Sequence, residues 1–311
     1  MTPPGGREAD ILNAVLGRMP AQRRRELILG IGDDCAIYRP RGAPEDLLFT
    51  TDMLLEGVHF LRDTHSAAAI GHKALARGLS DIAAMGGIPR FCLLSLAVGE
   101  NAGKRWIAGF YNGLLRLAEA SGTLLAGGDL ARSGHIACDI VVCGAVPRGR
   151  ALRRDGARAG DAVYVSGLLG GSALGLATRR GRAWQRHLRP QPRLSLGVFL
   201  RERLHATAAM DLSDGLSMDL PRLALASGLE AAIEPPPRFP GATADQALHG
   251  GEDYELLFTV PPRVRVPASF EGLPLTRIGA MRRGRPGAVY LAGHPLPALG
   301  YDHFRESNEH S

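Results

Sequence analysis

Acidic residues beside Gly, Ser or Thr recur along this chain. Asp33 and Asp34 follow ELILGIG, Asp52 follows LLFTT, Asp81 follows GLS, Asp129 follows TLLAGG, Asp211 and Asp214 lie in MDLSDG, and Glu252 and Asp253 lie in GGEDYE. Each has an ordinary explanation: Ser80-Asp81 and Ser213-Asp214 could cap following helices, and Gly-Asp pairs make turns. Taken together they demand more, because converging buried carboxylates repel one another unless cations compensate them. Hard oxygen donors, the Thr50 and Thr51 hydroxyls among them, suit Mg2+ better than a softer metal. His59 and His72 are isolated and no HExxH occurs, so histidine is not arranged as a ligand set.

Glycines supply the second signal. Gly127-Gly128-Asp129 and Gly167-Leu-Leu-Gly-Gly171 let backbone N–H groups approach an anion closely. Two common phosphate devices are excluded. Gly99-Glu-Asn-Ala-Gly103-Lys104 is one residue short of a P-loop and is followed by Arg105 instead of Ser or Thr. Gly30-Ile-Gly32-Asp-Asp-Cys35 opens like a dinucleotide fingerprint, but Cys35 replaces the third Gly and a strand with a Pro turn follows where a helix is required. The residues alone describe an enzyme that uses several Mg2+ ions on a phosphate-rich substrate.

The elements that must position these groups alternate in type. Ile11, Leu12, Val15 and Leu16 have helical spacing; ELILGI, CAIY and LLFT read as short strands. Residues 65–85 read as a helix interrupted at Gly78-Leu-Ser-Asp81, 91–98 as a strand, 103–120 as a helix, and 135–146 as a strand. PRGRALRRDGARAGD then has the composition of an exposed connector, which places a domain boundary near residue 148. Beyond it AVYVSG, a helix near 171–178, the LRPQPR turn, AAMDLSDGL, EAAIE, YELLFTV and LTRIGAM repeat the mixture. The expectation is an α+β protein of two mixed domains, 1–148 and 149–311. Arg189 and Arg193 in LRPQPR read as parts of a rigid turn, with phosphate contact as the alternative.

Composition sets the class. The 311 residues are 45% hydrophobic and 22% charged, with no short repeat, which excludes disorder, collagen and coiled coil. The start MTPPGGREAD has no signal-like apolar run, and no segment reaches the roughly 20 residues of a spanning helix, so a cytoplasmic protein without membrane contact is expected. Cys35, Cys92, Cys138 and Cys143 form no CxxC pair and read as reduced, buried thiols. Of 37 basic residues only Lys73 and Lys104 are lysine. The net charge of +6 is scattered in Arg pairs without interleaved aromatics, the pattern of a solvated surface and not of a nucleic-acid groove.

With GIGDDCAI (30–37), TTDMLLEGVHF (50–60), KALARGLSDIAAMGGIP (73–89), LLAGGD (124–129), RRDGARAGDAVYVSG (153–167), MDLSDGLSMDL (210–220), GGEDYELLFTVP (250–261) and GYDHF (300–304), the chain resembles the thiamine-monophosphate kinase family of the aminoimidazole ribonucleotide synthetase-like fold group. The resemblance implies two α/β domains of that type, the first pairing in a homodimer. It implies ATP-dependent phosphorylation of thiamine monophosphate to thiamine diphosphate. Asp34, Thr50, Thr51, Asp52, Asp81, Asp129, Asp211 and Asp214 would hold Mg2+. Gly128, Asp129, Arg154, Ser213 and Tyr111 would contact ATP, while His59, Glu252 and Tyr301 would line the thiamine phosphate pocket. Asp52, Asp81, Asp129 and Arg154 would act directly on the transferred group. Leu130-Ala131 stands where the family usually has Thr-Thr. Other enzymes of the fold group fit less well: the first 34 residues hold no Cys or Lys for selenophosphate synthesis, and the chain ends in ESNEHS with no terminal Cys for hydrogenase maturation. An aminoimidazole ribonucleotide synthetase, or a non-catalytic ATP-binding dimer, is the remaining alternative.

Overall fold

The computed structural model describes residues 25–99 and 102–303, with Ile11, Ala14 and Val15; the helical spacing at 11–16 thus lies mostly outside the described residues, as does Phe304 of GYDHF. The first half builds a six-stranded sheet in the order β1-β2-β3-β6-β4-β5, from Leu27–Leu29, Ala36–Tyr38, Glu45–Leu55, Ala137–Pro147, Ile88–Val98 and Leu124–Arg132 respectively. Helices α1 (Ala67–Ala84) and α2 (Lys104–Ser121) lie on one face. In β3 the even-numbered side chains alternate inward, Leu48, Thr50 and Leu54 being buried while Thr51 and Met53 are exposed, the period-2 signature of a sheet packed on one side.

Helix α1 holds the two halves together. Its start is capped by Ser66, whose side chain accepts from the Ala69 N–H at 3.2 Å, and thirteen of its eighteen residues are buried, which takes it out of the one-sided class of surface helices. One side packs on β3 and β6, another on α2, and the end at Ala83 and Ala84 enters a second apolar cluster with Leu196, Leu200, Leu256 and Phe258 from the later chain. The expected interruption at Gly78–Asp81 is absent, and α1 runs straight through it. Gly in a helix costs about 1 kcal/mol against Ala. Here it lets the helix lie flat on the sheet, since a Cβ at Gly78 would stand 2.6 Å from Val142 Cγ2.

The second half forms a sheet in the order β14-β13-β9-β12-β7-β10-β8, with β11 (Ser269–Phe270) paired to β12. Its centre is β7 (Ala162–Ser166), β10 (Leu256–Val260) and β12 (Leu273–Arg282), flanked by β8 (Ala208–Asp211) and β9 (Glu230–Ile233), with β13 (Val289–Leu291) and β14 (His294–Pro295) at the far edge. Every residue of β10 is buried, as its unbroken apolar run suggests. The helices are α3 (Gly171–Thr178), α4 (Gly181–Leu188), α5 (Leu194–Phe199, continued by a π turn to Leu204), α6 (Leu216–Ala226) and α7 (Ala244–His249).

Two acids expected where apolar runs stop lie inside strands instead. Asp52 is within β3, whose ladder with β6 is unbroken from Glu45 opposite Pro147 to Leu55 opposite Ala137, and Asp129 is within edge strand β5. The apolar run ends there because alternate positions change neighbours, while the backbone pairing continues. All four cysteines are buried and unbridged.

The α1–α2 contact is backbone against backbone: a Cβ on Gly113 would stand 1.8 Å from the Ala68 carbonyl oxygen, and one on Gly71 1.9 Å from that of Phe110. Gly113→Ala must therefore push the helices apart and is expected to lower stability by about 1–3 kcal/mol. Urea denaturation checks this; a midpoint equal to that of the parent would show that the contact yields freely.

Candidate active site

The acids converge where α1 passes between the two sheets. One carboxylate oxygen from each of Asp34, Asp81 and Asp211 lies within 4.8 Å of the others. Asp34 comes from the loop after β1, Asp81 from the last turn of α1 and Asp211 from the end of β8. Hydroxyls orient them: Thr50 Oγ1 donates to Asp81 Oδ2 at 2.5 Å, and Ser80 Oγ donates to Asp211 Oδ2 at 2.7 Å. Ser80 therefore orients an acid and does not cap a helix. Arg154 is ion-paired with Asp34, and its backbone N–H donates to Asp33 Oδ2 at 3.0 Å.

Electrostatics make this an unsettled cluster without a cation. Burial first, then the neighbouring Asp52, Asp211 and Asp34, pushes the Asp81 carboxyl well above the usual range. Burial and then Asp34 do the same to Asp211, while burial and Asp34 raise Asp33 to about 6. Asp34 Oδ2 is buried and has no hydrogen-bond partner among the described residues. Oxygen-only donors, mutual repulsion and an orphaned lone pair together fit a hard divalent cation such as Mg2+.

A cleft of about 320 Å3 opens from the cluster. It is lined by Asp52, Asp81, Asp211, Ser213 and Asp214 together with Val58, His59, Glu252, Tyr254, Tyr301 and His303. Arg77, also in the lining, lies 3.1 Å from Asp52 Oδ1 and donates to the Met53 carbonyl at 3.0 Å. Asp214 is held by Arg222 at 2.5 Å, which also donates to buried Asp219 at 2.9 Å, and the Asp214 N–H donates to Asp219 Oδ2 at 3.1 Å. His59 accepts the Leu55 N–H at Nδ1, 3.0 Å away, and its buried Nε2 has no partner among the described residues. Burial and then Arg77 lower its pKa to about 4, so near neutrality it is an uncharged ring with Nε2–H as donor.

Glu252 is fixed by backbone strain and by a buried cation. It and Tyr254 adopt left-handed φ values of 63° and 50°, a conformation costly for non-glycine residues. N–H bonds to the Ser213 and Leu212 carbonyls, 2.7 and 2.9 Å, pin them there. Lys73 of α1, 1% exposed, donates to Glu252 at 2.8 Å. Burial alone would raise the Glu252 pKa, but Lys73, then His187, outweighs it and holds the carboxyl at about 2. Asp253 points the other way and accepts the Gly170 and Ser172 N–H groups.

The structure thus brings together Asp34, Thr50, Asp52, Asp81, Asp211, Ser213, Asp214, His59, Glu252 and Tyr301, with Arg154 against Asp34. It leaves four predicted residues apart. Thr51 is exposed on the opposite face of β3 and donates to Asp139 at 2.7 Å. Asp129 is exposed on β5 opposite Ser95. Gly128 has φ +153° and a Cβ there would stand 1.8 Å from the Leu94 carbonyl oxygen, so it serves strand contact. Tyr111 packs against the first core beside Phe110. Sequence reasoning missed Lys73, Arg77, Tyr254 and the Arg222–Asp219 pair. For Lys73 a signal existed: it is one of only two lysines among 37 basic residues.

Residues 32–146 match the family described as AIR synthase related protein, N-terminal domain, and residues 158–291 match AIR synthase related protein, C-terminal domain. The curated thiamine-monophosphate kinase of Salmonella typhimurium is 40% identical, the match covering 90% of this chain and 93% of that one. The chain belongs to the thiamine-monophosphate kinase family. The Bacillus subtilis thiamine-monophosphate kinase is 32% identical, over 96% of this chain and 99% of its own. The solved structure of AaThiL complexed with AMPPCP and TMP is 33% identical and superposes with a TM-score of 0.81, covering 95% of each chain. The family and the fold group implied by the motifs are both borne out, and the members are kinases.

Two outcomes follow from the charges. Asp211→Asn removes one repelled carboxylate, so at pH 8 in EDTA it is expected to raise stability by about 1 kcal/mol and to abolish any Mg2+-dependent rise in melting temperature. A variant that keeps the full Mg2+ response would remove Asp211 from the ion site. Glu252→Gln leaves the Lys73 ammonium buried without a carboxylate and should cost about 3 kcal/mol at pH 6. Lys73 already has a lowered pKa, burial being the main cause; with its folded pKa below the unfolded one, the variant regains stability as pH rises toward 9. A loss that is independent of pH would show that another group balances Lys73.

Proposed function

We propose that this chain transfers the terminal phosphoryl group of ATP to the phosphate of thiamine monophosphate, giving thiamine diphosphate and ADP. The observation that carries this reading is a single cleft with a carboxylate cluster at one end and an ionised Glu252 with a neutral His59 at the other. Phosphate groups accompanied by Mg2+ would suit the first, and a cationic thiazolium ring would suit the second. Family membership and the ligands of AaThiL support it.

Asp34, Asp81 and Asp211, with Asp52, Asp214 and the Thr50 hydroxyl around them, would hold several Mg2+ ions. When bound, Mg2+ neutralises the two phosphate partners and lines them up for in-line displacement. Two unit charges near 4 Å oppose each other by about 4 kcal/mol at an effective dielectric of 20. Arg154, paired with Asp34, would balance charge on the transferred group. Glu252 complements the thiazolium charge, the His59 Nε2–H offers a donor to a ring nitrogen, and Tyr254, Tyr301 and His303 supply ring faces. The acceptor oxygen is already anionic, so the cleft requires no general base. Ser213 is assigned to ATP. Gly128, Asp129, Tyr111 and Thr51, implied by the family motifs, are retained as proposed ATP or ion contacts reached from outside this cleft.

The chain is further read as two domains divided near residue 148 and as a cytoplasmic homodimer. Support for pairing is apolar exposure on the first sheet, where Met53, Leu93 and Leu124 are 54%, 38% and 70% exposed; exposed apolar surface favours association. Among the described residues no helix is long and apolar enough to cross a membrane.

Incubation with ATP, Mg2+ and thiamine monophosphate is expected to yield thiamine diphosphate and ADP in equal amounts, and none with free thiamine. Asp81→Asn should reduce kcat by roughly 100-fold or more. Phosphorylation of free thiamine instead, or full activity of Asp81→Asn, would overturn the reading.

A further inference from the structure

A second cavity lies behind the first, on the other side of α4. It is a groove of about 720 Å3 whose walls are Arg182, Gln185 and Arg186 of α4, Arg189 and Arg193 of the turn that follows, and Phe239 and Asp253 opposite. The turn is rigid: Pro190 and Pro192 fix the backbone, the Arg189 N–H donates to the Gln185 carbonyl at 2.9 Å, and His72 Nε2 bonds the Pro190 carbonyl at 2.8 Å.

The acids of this region are already spoken for. Asp253 accepts from two backbone N–H groups and from Arg186. Glu255, fully buried, accepts from Arg186 at 2.6 Å, from Arg193 at 2.5 and 2.9 Å, and from the Ser166 hydroxyl at 2.5 Å. Arg186 and Arg193 are thereby balanced and held in place. Arg182 and Arg189, both exposed at the rim, have no acidic partner among the described residues. The groove therefore carries two uncompensated guanidinium groups at its rim, beside the two that Glu255 holds in place, with the Phe239 ring 6.0 Å from Arg186 at its side.

We propose that this groove is a second anion site, separate from the acidic cleft, that takes the di- or triphosphate group of a ligand, with Phe239 available to a ring attached to it. Planar forks pair with phosphate oxygens two at a time, and Arg182 and Arg189, seven residues apart at the two ends of α4, suit a chain of phosphates better than a single one. The opposite sign of the active cleft's bare carboxylates keeps the two sites distinct. The inference does not depend on which reaction that cleft performs.

Calorimetric titration of the full chain in EDTA with inorganic pyrophosphate, ADP and thiamine diphosphate tests it. Pyrophosphate is expected to bind the wild type and Asp81→Asn alike, and to bind the double variant Arg182→Gln/Arg189→Gln at least tenfold more weakly. The ADP and thiamine diphosphate arms then show whether an attached ring adds affinity and which source the groove prefers. Pyrophosphate binding that survives in the double variant, or that is lost in Asp81→Asn, would overturn the proposal, as would no binding to the wild type. A double variant with unaltered circular dichroism and melting temperature keeps the comparison free of misfolding.

Discussion

Like charges brought together in a protein interior are the constraint around which this molecule is arranged. Three carboxylates within 4.8 Å of one another are tolerable only if something cationic is held among them or if protons are taken up. The surrounding structure serves to keep them close in spite of that. Asp34 is tied by Arg154, Asp81 by Thr50, and Asp211 by Ser80, so each acid has a partner on a different segment and none can swing away alone. Since Asp34 and Asp81 belong to the first half and Asp211 to the second, the acid cluster is also the seam between them. The apolar cluster of Ala83, Ala84, Leu196, Leu200 and Phe258 closes that seam just beyond the acids.

The opposite end of the cleft solves the reverse problem, burying a cation. Lys73 is 1% exposed and finds its counter-charge on Glu252, whose backbone conformation is strained. Successive side chains of the turn alternate between two sides: Glu252 and Tyr254 go to the cleft, Asp253 and Glu255 to Arg186 and Arg193 behind it. The same short segment therefore serves both cavities, one rich in acid and one rich in arginine.

Much of this was legible in the residues. Element types followed from periodicity and from Gly and Pro placement, and the acids that meet were recognisable by their Gly, Ser and Thr neighbours. What periodicity could not reveal was depth. Gly78 looks like a helix break in sequence, yet in the fold it is the point where the helix touches the sheet. Asp52 and Asp129 end apolar runs without ending strands. Lys73, Arg77 and Arg222 were missed because a cation's importance depends on which acid lies across the gap, and those acids are up to 179 positions away. Thr50 and Thr51 are adjacent in sequence, but strand alternation gives them opposite faces, so only one can reach Asp81.

Helix α1 carries Lys73, Arg77 and Asp81 at intervals of four residues, one group for each part of the cleft. At about 1.5 Å per residue, the clamp on Glu252 and the acid at the ion cluster stand roughly 12 Å apart along a rigid rod. The distance between the two ends of the cleft is thus set by residue count. A loop can gain or lose a residue and still join the same elements. One inserted or deleted position between Lys73 and Asp81 would turn the later side chain by about 100° and slide it along the axis, detaching one end of the gauge from the other. Change in this lineage is therefore expected to come by substitution within α1 and by length variation everywhere else.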